Sequence, residues 1–315
     1  MKYREKLPQL HGELFITDGG IETTLIFHDG LDLPDFAAFV LLQERDGMAA
    51  LDRYFRTYAE IAKRFSAGLV LESATWRANR DWATRLGYSA EALAAANRAA
   101  IELLERIRAD YEDGDTTVVI SACLGPRGDG YVPSELMSAD QARDYHLAQM
   151  EVFAHTAADM ASAITMNYAN EAIGIARAAE LMHMPVAISF TVETDGRLPT
   201  GQSLRSAITE VDEATDAYPS YYMINCAHPT HFENALDDGG AWLDRIHGLR
   251  ANASRKSHAE LNESVELDIG DPAELGAEYA TLTRRMPRLN VMGGCCGTDH
   301  RHVESIAAAC APLFR

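Results

Sequence analysis

The sequence contains no long apolar run. None of its 315 residues belongs to a stretch approaching the roughly 20 apolar residues that span a membrane. The N-terminal segment MKYREKLPQLHGELF has no apolar signal core, so we expect a cytoplasmic protein that does not act on a membrane. Basic residues are also few, with 28 Lys and Arg against 47 Asp and Glu. This balance argues against nucleic-acid binding, because phosphate contacts need clustered positive charge.

Cysteine is scarce, and its arrangement is unusual. Five cysteines in a long chain, two of them adjacent, do not resemble the disulfide framework of a secreted protein. In a reducing compartment such a pattern more often indicates a metal site or catalysis. The chain also lacks low-complexity tracts, linkers and short repeats, and 47% of its residues are hydrophobic. Its length allows one barrel-sized domain or two ordinary ones.

Short apolar or β-branched runs alternate with longer Ala-rich amphipathic stretches. Near-continuous apolar runs are typical of parallel strands, which are buried on both faces. They predict strands over 13–17, 68–73, 116–123, 161–166, 185–190, 221–225, 244–250 and 288–292. Apolar residues at helical spacing predict helices over 48–66, 89–109, 138–160, 168–183, 201–216, 272–286 and 300–311.

Eight alternations of strand and helix predict an α/β protein with a single (β/α)8 TIM-barrel domain over residues 1–315. A doubly wound open sheet is the alternative. The strand count favours the barrel, and so does the lack of a Gly-rich dinucleotide turn after the first strand.

Polar segments follow the predicted strands. In a barrel such loops meet at the C-terminal face, where catalytic groups sit. After strands 1, 2, 3, 5, 6, 7 and 8 they read DGGIETT, ATWRANRDW, LGPRGDGY, TVETDGR, CAHPTHF, ANASRKSH and GGCCGTDHRH.

Three cysteines stand out in these loops. Cys295 and Cys296 lie just beyond strand 8, and Cys226 follows strand 6, so the barrel rule places all three on one rim. Three converging thiolates suit a borderline metal such as Zn²⁺, and three protein ligands leave a fourth position open for substrate. The flanking glycines allow the tight turn that lets consecutive side chains face one ion, and they are Gly293, Gly294 and Gly297.

These segments resemble the homocysteine S-methyltransferase family. The resemblance lies in MGGCCGT after the last strand, Asn225-Cys226 after strand 6 and TDGGIETTL after strand 1, and it spans about 15–306. It implies a zinc-dependent methyltransferase of methionine biosynthesis, acting on a small-molecule thiol such as homocysteine. The donor would be a methyl-onium compound, such as S-methylmethionine, another sulfonium or betaine. Zinc coordination would convert the acceptor thiol into the thiolate nucleophile.

The resemblance also suggests where an amino-acid acceptor binds. Asp18, Gly19 and Gly20 match the family's amino-acid-binding turn, whose amide groups would receive a carboxylate and whose Asp18 would receive an ammonium group. Asn225 precedes the first metal ligand. Ile164 stands where many members carry an acidic residue, seven positions before Glu171.

Several residues are candidates for the role of the missing acidic group. They are Thr165, Asn167 and Tyr168 nearby, and Glu193 or Glu72 at other strand ends. The acceptor could also be a different thiol.

The donor side departs from betaine-using relatives as well. Trp76 and Phe36 could hold an onium group by cation–π contact. Arg77, however, stands where those relatives carry a tyrosine. A guanidinium there would repel an onium head but could bind a donor's carboxylate through two hydrogen bonds, which favours a donor with an acid tail.

Several histidines lie near the predicted rim. His228, two residues after Cys226, is the best candidate for an extra ligand or proton carrier. His231, His258, His300 and His302 are expected to cap helices or to orient metal ligands. Cys123 and Cys310 are expected to be core residues.

Two other functions remain open from the sequence. One is demethylation of an onium compound with the thiol as methyl sink, and the other is a zinc- or thiol-binding barrel without catalysis. The length leaves no room for cobalamin- or folate-binding domains, whereas a donor protein acting in trans and a homo-oligomer both remain open.

Overall fold

The computed structural model describes residues 1–133, 136–237, 239–264 and 266–314. Eight parallel strands pair in chain order, and β1 also pairs with β8, so the sheet closes into a barrel. The strands are β1 (Phe15–Ile16), β2 (Gly68–Glu72), β3 (Val118–Leu124), β4 (Met160–Met166), β5 (Val186–Thr191), β6 (Tyr221–Asn225), β7 (Ile246–Ala251) and β8 (Val291–Gly294). The predicted TIM-barrel fold is confirmed.

The seven predicted long helices are present, and three short α-helices occur in the rim loops of the described residues, besides short 3-10 and π-helical segments such as Thr23–His28. The long ones are α1 (Arg45–Phe65), α3 (Ala90–Tyr111), α4 (Ala139–Ala154), α5 (Ala169–Leu181), α6 (Leu204–Thr215), α9 (Pro272–Arg285) and α10 (His300–Cys310). The short ones, which the sequence did not reveal, are α2 (Arg80–Arg85), α7 (Pro229–Phe232) and α8 (His258–Asn262). Helices of four to six residues are too short to show an apolar period. No helix in the described part of the chain has the length and apolarity to cross a membrane.

Local sequence signals fix where the helices begin. The Ser89 hydroxyl accepts a hydrogen bond from the Ala92 amide at the start of α3. Ser138 and Gln141 form a reciprocal capping box at the start of α4. Such caps satisfy amide groups that have no partner within the helix, each contributing about 1 kcal/mol.

The core has two parts. The larger cluster lies between the sheet and the helices, where Leu69, Leu71 and Ile188 meet apolar helix residues. The smaller one fills the barrel interior with alternate strand residues, among them Phe15, Val70, Val119, Met160, Ile164, Tyr221, Met223 and Val291. The interior is therefore packed with side chains below the rim, and the described cavity opens at its C-terminal end.

Candidate metal and substrate site

Three cysteine sulfurs converge at the C-terminal end of the barrel. The Sγ atoms of Cys226, Cys295 and Cys296 all lie within 4.8 Å of one another. Cys226 is buried, Cys295 is half-buried and Cys296 is exposed, and all three line a cavity of about 440 Å³. The trio therefore opens toward the cavity on the side of Cys296.

Two of the sulfurs are in direct contact. The Sγ atoms of Cys226 and Cys295 are paired as a disulfide, with Cα atoms 5.4 Å apart, where the sequence predicted free thiolates. Thiols that converge on one point can pair with each other as well as with a metal ion. A metal centre at this position requires both cysteines in the reduced form.

The donor set fits a zinc ion. Zinc–thiolate bonds of about 2.3 Å in a tetrahedron place neighbouring sulfurs about 3.8 Å apart. The Sγ atoms of Cys226 and Cys296 lie 3.8 Å apart. Among the described residues, these cysteines form the group whose ligand atoms approach closely enough to share an ion.

Asn225 braces the strand ends that carry the cysteines. Its Oδ1 accepts hydrogen bonds from the Thr165 amide at 3.0 Å and the Ser189 hydroxyl at 2.6 Å, and its Nδ2 donates to Oγ1 of Thr165 at 2.8 Å. Thr165 has a φ of 65° and Cys226 one of 53°, left-handed values that cost about 1–3 kcal/mol at such residues. Asn225, a candidate for substrate binding, thus holds strained backbone beside the sulfurs and is not part of the cavity lining.

Gly20 lies against the backbone of Cys295. A Cβ atom at this position would stand 2.6 Å from the carbonyl oxygen of Cys295 and 2.7 Å from Oγ1 of Thr23. The Gly20 amide already donates to Thr298. It is therefore not free to receive a substrate carboxylate, as the sequence had suggested.

Replacing Gly20 by alanine is expected to displace Cys295 and to weaken zinc binding by about tenfold or more, because overpacking of this kind costs about 1–3 kcal/mol. Competition with a chromophoric chelator measures the zinc affinity. Gly114→Ala is the matched control, since a Cβ at Gly114 meets nothing within 4 Å. Unchanged zinc affinity in Gly20→Ala would show that the close approach of Gly20 to the Cys295 carbonyl does not hold Cys295 in place.

Tyr131 and His258 lie beside the sulfurs. The sequence did not reveal Tyr131, whereas His258 is expected from it to cap a helix or to orient a metal ligand. The Tyr131 hydroxyl lies 3.2 Å from Sγ of Cys226 and 3.6 Å from Sγ of Cys296. The His258 ring packs on Tyr131 with centroids 4.3 Å apart. Its Nε2 lies 2.6 Å from the carbonyl oxygen of Cys226, and its Nδ1 lies 3.0 Å from Oε1 of Glu193. Glu193 therefore connects to the backbone of Cys226 through His258, and the described cavity lining does not include it.

Asp18 is already paired with a cation. Arg250, at the end of β7, donates through Nη2 to Oδ1 of Asp18 at 2.6 Å and through Nε to the Gly294 carbonyl at 3.2 Å. Tyr54 donates to Oδ2 of Asp18 at 2.8 Å. All these side chains are buried. The predicted Asp18 turn thus lines the cavity, but Arg250 occupies the role expected for a substrate ammonium group.

A second acid on the cavity wall has no such partner. Glu72, the last residue of β2, is 4% exposed, and its Oε2 is buried without a hydrogen-bond partner. Burial raises the pKa of Glu72 to about 7, against the opposing charge of Arg250. Glu22, on the same lining, also has its pKa raised to about 7 by burial.

Arg77 forms a cationic wall of the cavity. Its guanidinium lies 4.1 Å from the ring centroid of Trp76 and 3.8 Å from that of Trp82. Its Nη1 donates to the Gly128 carbonyl at 3.0 Å, whereas its Nε is buried without a partner. Trp76 also donates through Nε1 to the Ile164 carbonyl at 3.1 Å. Arg77 is thus a fixed, planar cation with an unused donor, as carboxylate binding requires.

Two further predicted residues lie outside the cavity lining. The Nδ2 atom of Asn167 donates to the carbonyls of Asp129 and Gly130 at 2.9 and 3.2 Å, so Asn167 holds the loop that carries Tyr131. His228 caps α7 by accepting from the Thr230 amide. Burial lowers the pKa of His228 to about 4, and among the described residues it is not grouped with the sulfurs.

Ile164 lies on the cavity wall where an acid was expected. It is 7% exposed and packs with the apolar interior of the barrel. Of the other histidines, His302 completes the capping box of α10. Cys310 is buried in the core as predicted, whereas Cys123 is both buried and part of the cavity lining.

The sequence profile of the homocysteine S-methyltransferase family matches residues 15–310. This chain belongs to that family. It is therefore a methyltransferase, and the three cysteines lie at the expected ends of β6 and β8.

Solved structures show the same barrel. The homocysteine methyltransferase MmuM of Escherichia coli in its oxidised form superposes with a TM-score of 0.77 at 17% identity, covering 95% of this chain and 99% of that one. Its metallated form gives 0.73 at 16% identity, covering 94% and 96%. At such identities the likeness establishes the fold.

A curated relative matches part of the chain. The methionine synthase of Mycobacterium tuberculosis is 30% identical over 146 residues, which is 42% of this chain. The match spans only 11% of that longer protein, so it carries no inference about the activity of the whole enzyme.

Proposed function

We propose that this homocysteine S-methyltransferase family member is a zinc-dependent enzyme that moves a methyl group from an onium donor bearing a carboxylate to an amino-acid thiol such as homocysteine. One observation carries the proposal. Three converging sulfurs open onto a cavity of about 440 Å³ whose wall also holds the stacked guanidinium of Arg77. The arrangement offers one place for a thiol and another for an acid.

The reaction is an in-line displacement. The acceptor sulfur, having released its proton to solvent, forms a bond to the methyl carbon, while the bond from that carbon to the donor's positive sulfur or nitrogen breaks. The electron pair of that bond stays with the leaving atom, which becomes a neutral thioether or amine. Zinc, when bound, lowers the pKa of the acceptor thiol so that it reacts as thiolate at neutral pH.

The residues of this chain supply position. Cys226, Cys295 and Cys296 would hold the ion with its open side toward the cavity, and Tyr131 covers two of the sulfurs. Arg77 would hold the donor carboxylate through its unused Nε edge. Fixing donor and acceptor together removes much of the entropic part of the barrier.

The test is a turnover screen on the reduced, zinc-loaded full chain. Homocysteine is incubated with sulfonium and quaternary ammonium carboxylates, and mass spectrometry follows methionine and the demethylated donor. We expect the two products in equal amounts, with acid donors preferred over their methyl esters. The same protein stripped of zinc by a chelator is the control. Stoichiometric zinc without turnover of any pair would refute the proposal.

A further inference from the structure

We propose that Glu72 binds the ammonium group of the amino-acid thiol acceptor, taking the place of the acidic residue that Ile164 replaces. This inference rests on the proposed function, because it assigns one contact of the acceptor in that site. The acceptors of the site are then α-amino thiols.

The position of Glu72 provides the first argument. It ends β2, lies on the same cavity lining as the three cysteines, and its Oε2 is buried without a hydrogen-bond partner. A buried carboxylate oxygen without a partner costs free energy that a ligand donor would recover. The hydroxyls of Ser121 and Ser162 interact with the carboxyl group by hydrogen bonding and lower its pKa, but neither carries a positive charge, and Oε2 keeps no partner.

The charge balance provides the second argument. Arg250 is a buried cation that is bonded to Asp18 at 2.6 Å and also acts on the charge of Glu72. One guanidinium therefore faces two carboxylates, which leaves one buried negative charge when Glu72 is ionised. An ammonium group would neutralise that charge, and buried carboxylates are normally paired in this way.

The other acidic candidates are less suited to this role. Glu193 is bonded to His258, and Asp18 is bonded to Arg250. Glu22 is half-buried and, in the described structure, has no oxygen that is buried without a partner, so an ammonium ligand would relieve less unpaired charge there than at Glu72. Glu72 is the acid on the described lining that combines burial, an unpartnered oxygen and no direct cationic neighbour.

The experiment compares two ligands that differ in one group. Isothermal titration of the reduced, zinc-loaded protein measures binding of homocysteine and of 4-mercaptobutanoate, which lacks the amino group. The wild type should favour homocysteine. In Glu72→Gln the dissociation constant for homocysteine should rise about 30-fold, as expected for loss of a charge-assisted hydrogen bond, while that for 4-mercaptobutanoate should change less than about threefold.

A second variant keeps the test independent of folding. Glu72→Gln combined with Ile164→Glu places an acid on the neighbouring wall of the cavity. The double variant should prefer homocysteine over 4-mercaptobutanoate at least about tenfold more strongly than Glu72→Gln does. A retained preference in Glu72→Gln overturns the inference. So does a preference that disappears in Glu22→Gln instead, or a wild type that binds zinc and both thiols equally. Failure to bind zinc, by contrast, would refute the proposed metal centre itself.

Thermal unfolding provides the control for structural damage. Burial raises the pKa of Glu72 from 4.5 to about 7. The folded chain therefore binds the proton more tightly than the unfolded chain, and the free energy of unfolding falls as pH rises from 4.5 to about 7. Glu72→Gln has no ionisable group at this position and does not lose stability in this way. The variant should therefore melt no lower than the wild type at pH 8, and a fall in melting temperature there would assign Glu72 a structural role and overturn the inference.

Discussion

Replacing Cys226 by alanine is expected to reduce bound zinc from one equivalent to near zero and to reduce methyl transfer to the uncatalysed background. Loss of a group that only orients a metal ligand lowers affinity by about 10- to 100-fold, and loss of the ligand itself should exceed this. The remaining pair, Cys295 and Cys296, is adjacent in the chain and cannot close a three-sulfur site. Elemental analysis of the reduced, gel-filtered protein measures the metal.

Cys310→Ala is the matched control for this experiment. Cys310 is a free, buried cysteine in α10, outside the group of sulfurs. It should retain full zinc occupancy and turnover, despite a modest loss of stability. Full occupancy in Cys226→Ala would refute the metal centre.

Arg77→Ala is expected to raise the KM of a carboxylate donor about 100-fold, because a buried, bidentate ion pair is lost. Arg77→Lys should recover only part of this loss. A lysine retains the charge but not the planar edge that lies between Trp76 and Trp82. Steady-state kinetics compare the acid donor with its methyl ester, which has no carboxylate. The KM of the ester should change little in either variant, which separates loss of the carboxylate contact from a general effect on the cavity.

Arg85→Ala provides the comparison for Arg77. Arg85 also stacks on Trp82, with its guanidinium 4.5 Å from the ring centroid, but it is exposed and outside the cavity lining. It should leave the donor KM unchanged. Equal effects of the two variants would mean that Arg77 acts through packing of Trp82 rather than through the donor.

Much of the fold was predictable, and so was the convergence of the three cysteines. Strand β6 lies at residues 221–225, where the apolar run placed it, and the cysteines meet because parallel strand ends share one rim. This inference requires only the order of elements, which apolar patterning determines.

The surroundings of the site were less accessible. The hydrogen bond from Arg250 to Asp18 joins residues 232 positions apart, and the contact of Tyr131 with Cys226 spans 95 positions. Such pairs depend on the directions of side chains within the barrel, and the apolar periodicity of the sequence does not determine these directions. An arginine near the end of strand β7 (IHGLRA) was an available signal for a buried ion pair.

The residues predicted to bind substrate fall into two groups in the structure. Asp18, Glu72, Trp76 and Arg77 line the cavity, whereas Asn167, Asn225 and Glu193 hold backbone or side chains around it. A strand end identifies the rim but not the face on which a side chain lies. The β4 bulge and the positive φ of Thr165 change that direction locally.

The sulfurs and the walls of the cavity rest on different strands. Cys226 and the Cys295–Cys296 pair extend from β6 and β8, whereas Glu72, Arg77 and Ile164 belong to β2, its loop and β4. Substitutions on the second set therefore need not move any of the three sulfurs. In a barrel, the strand ends that carry the sulfurs and those that carry the cavity wall can vary independently, so selectivity can diverge while the cysteine cluster is kept.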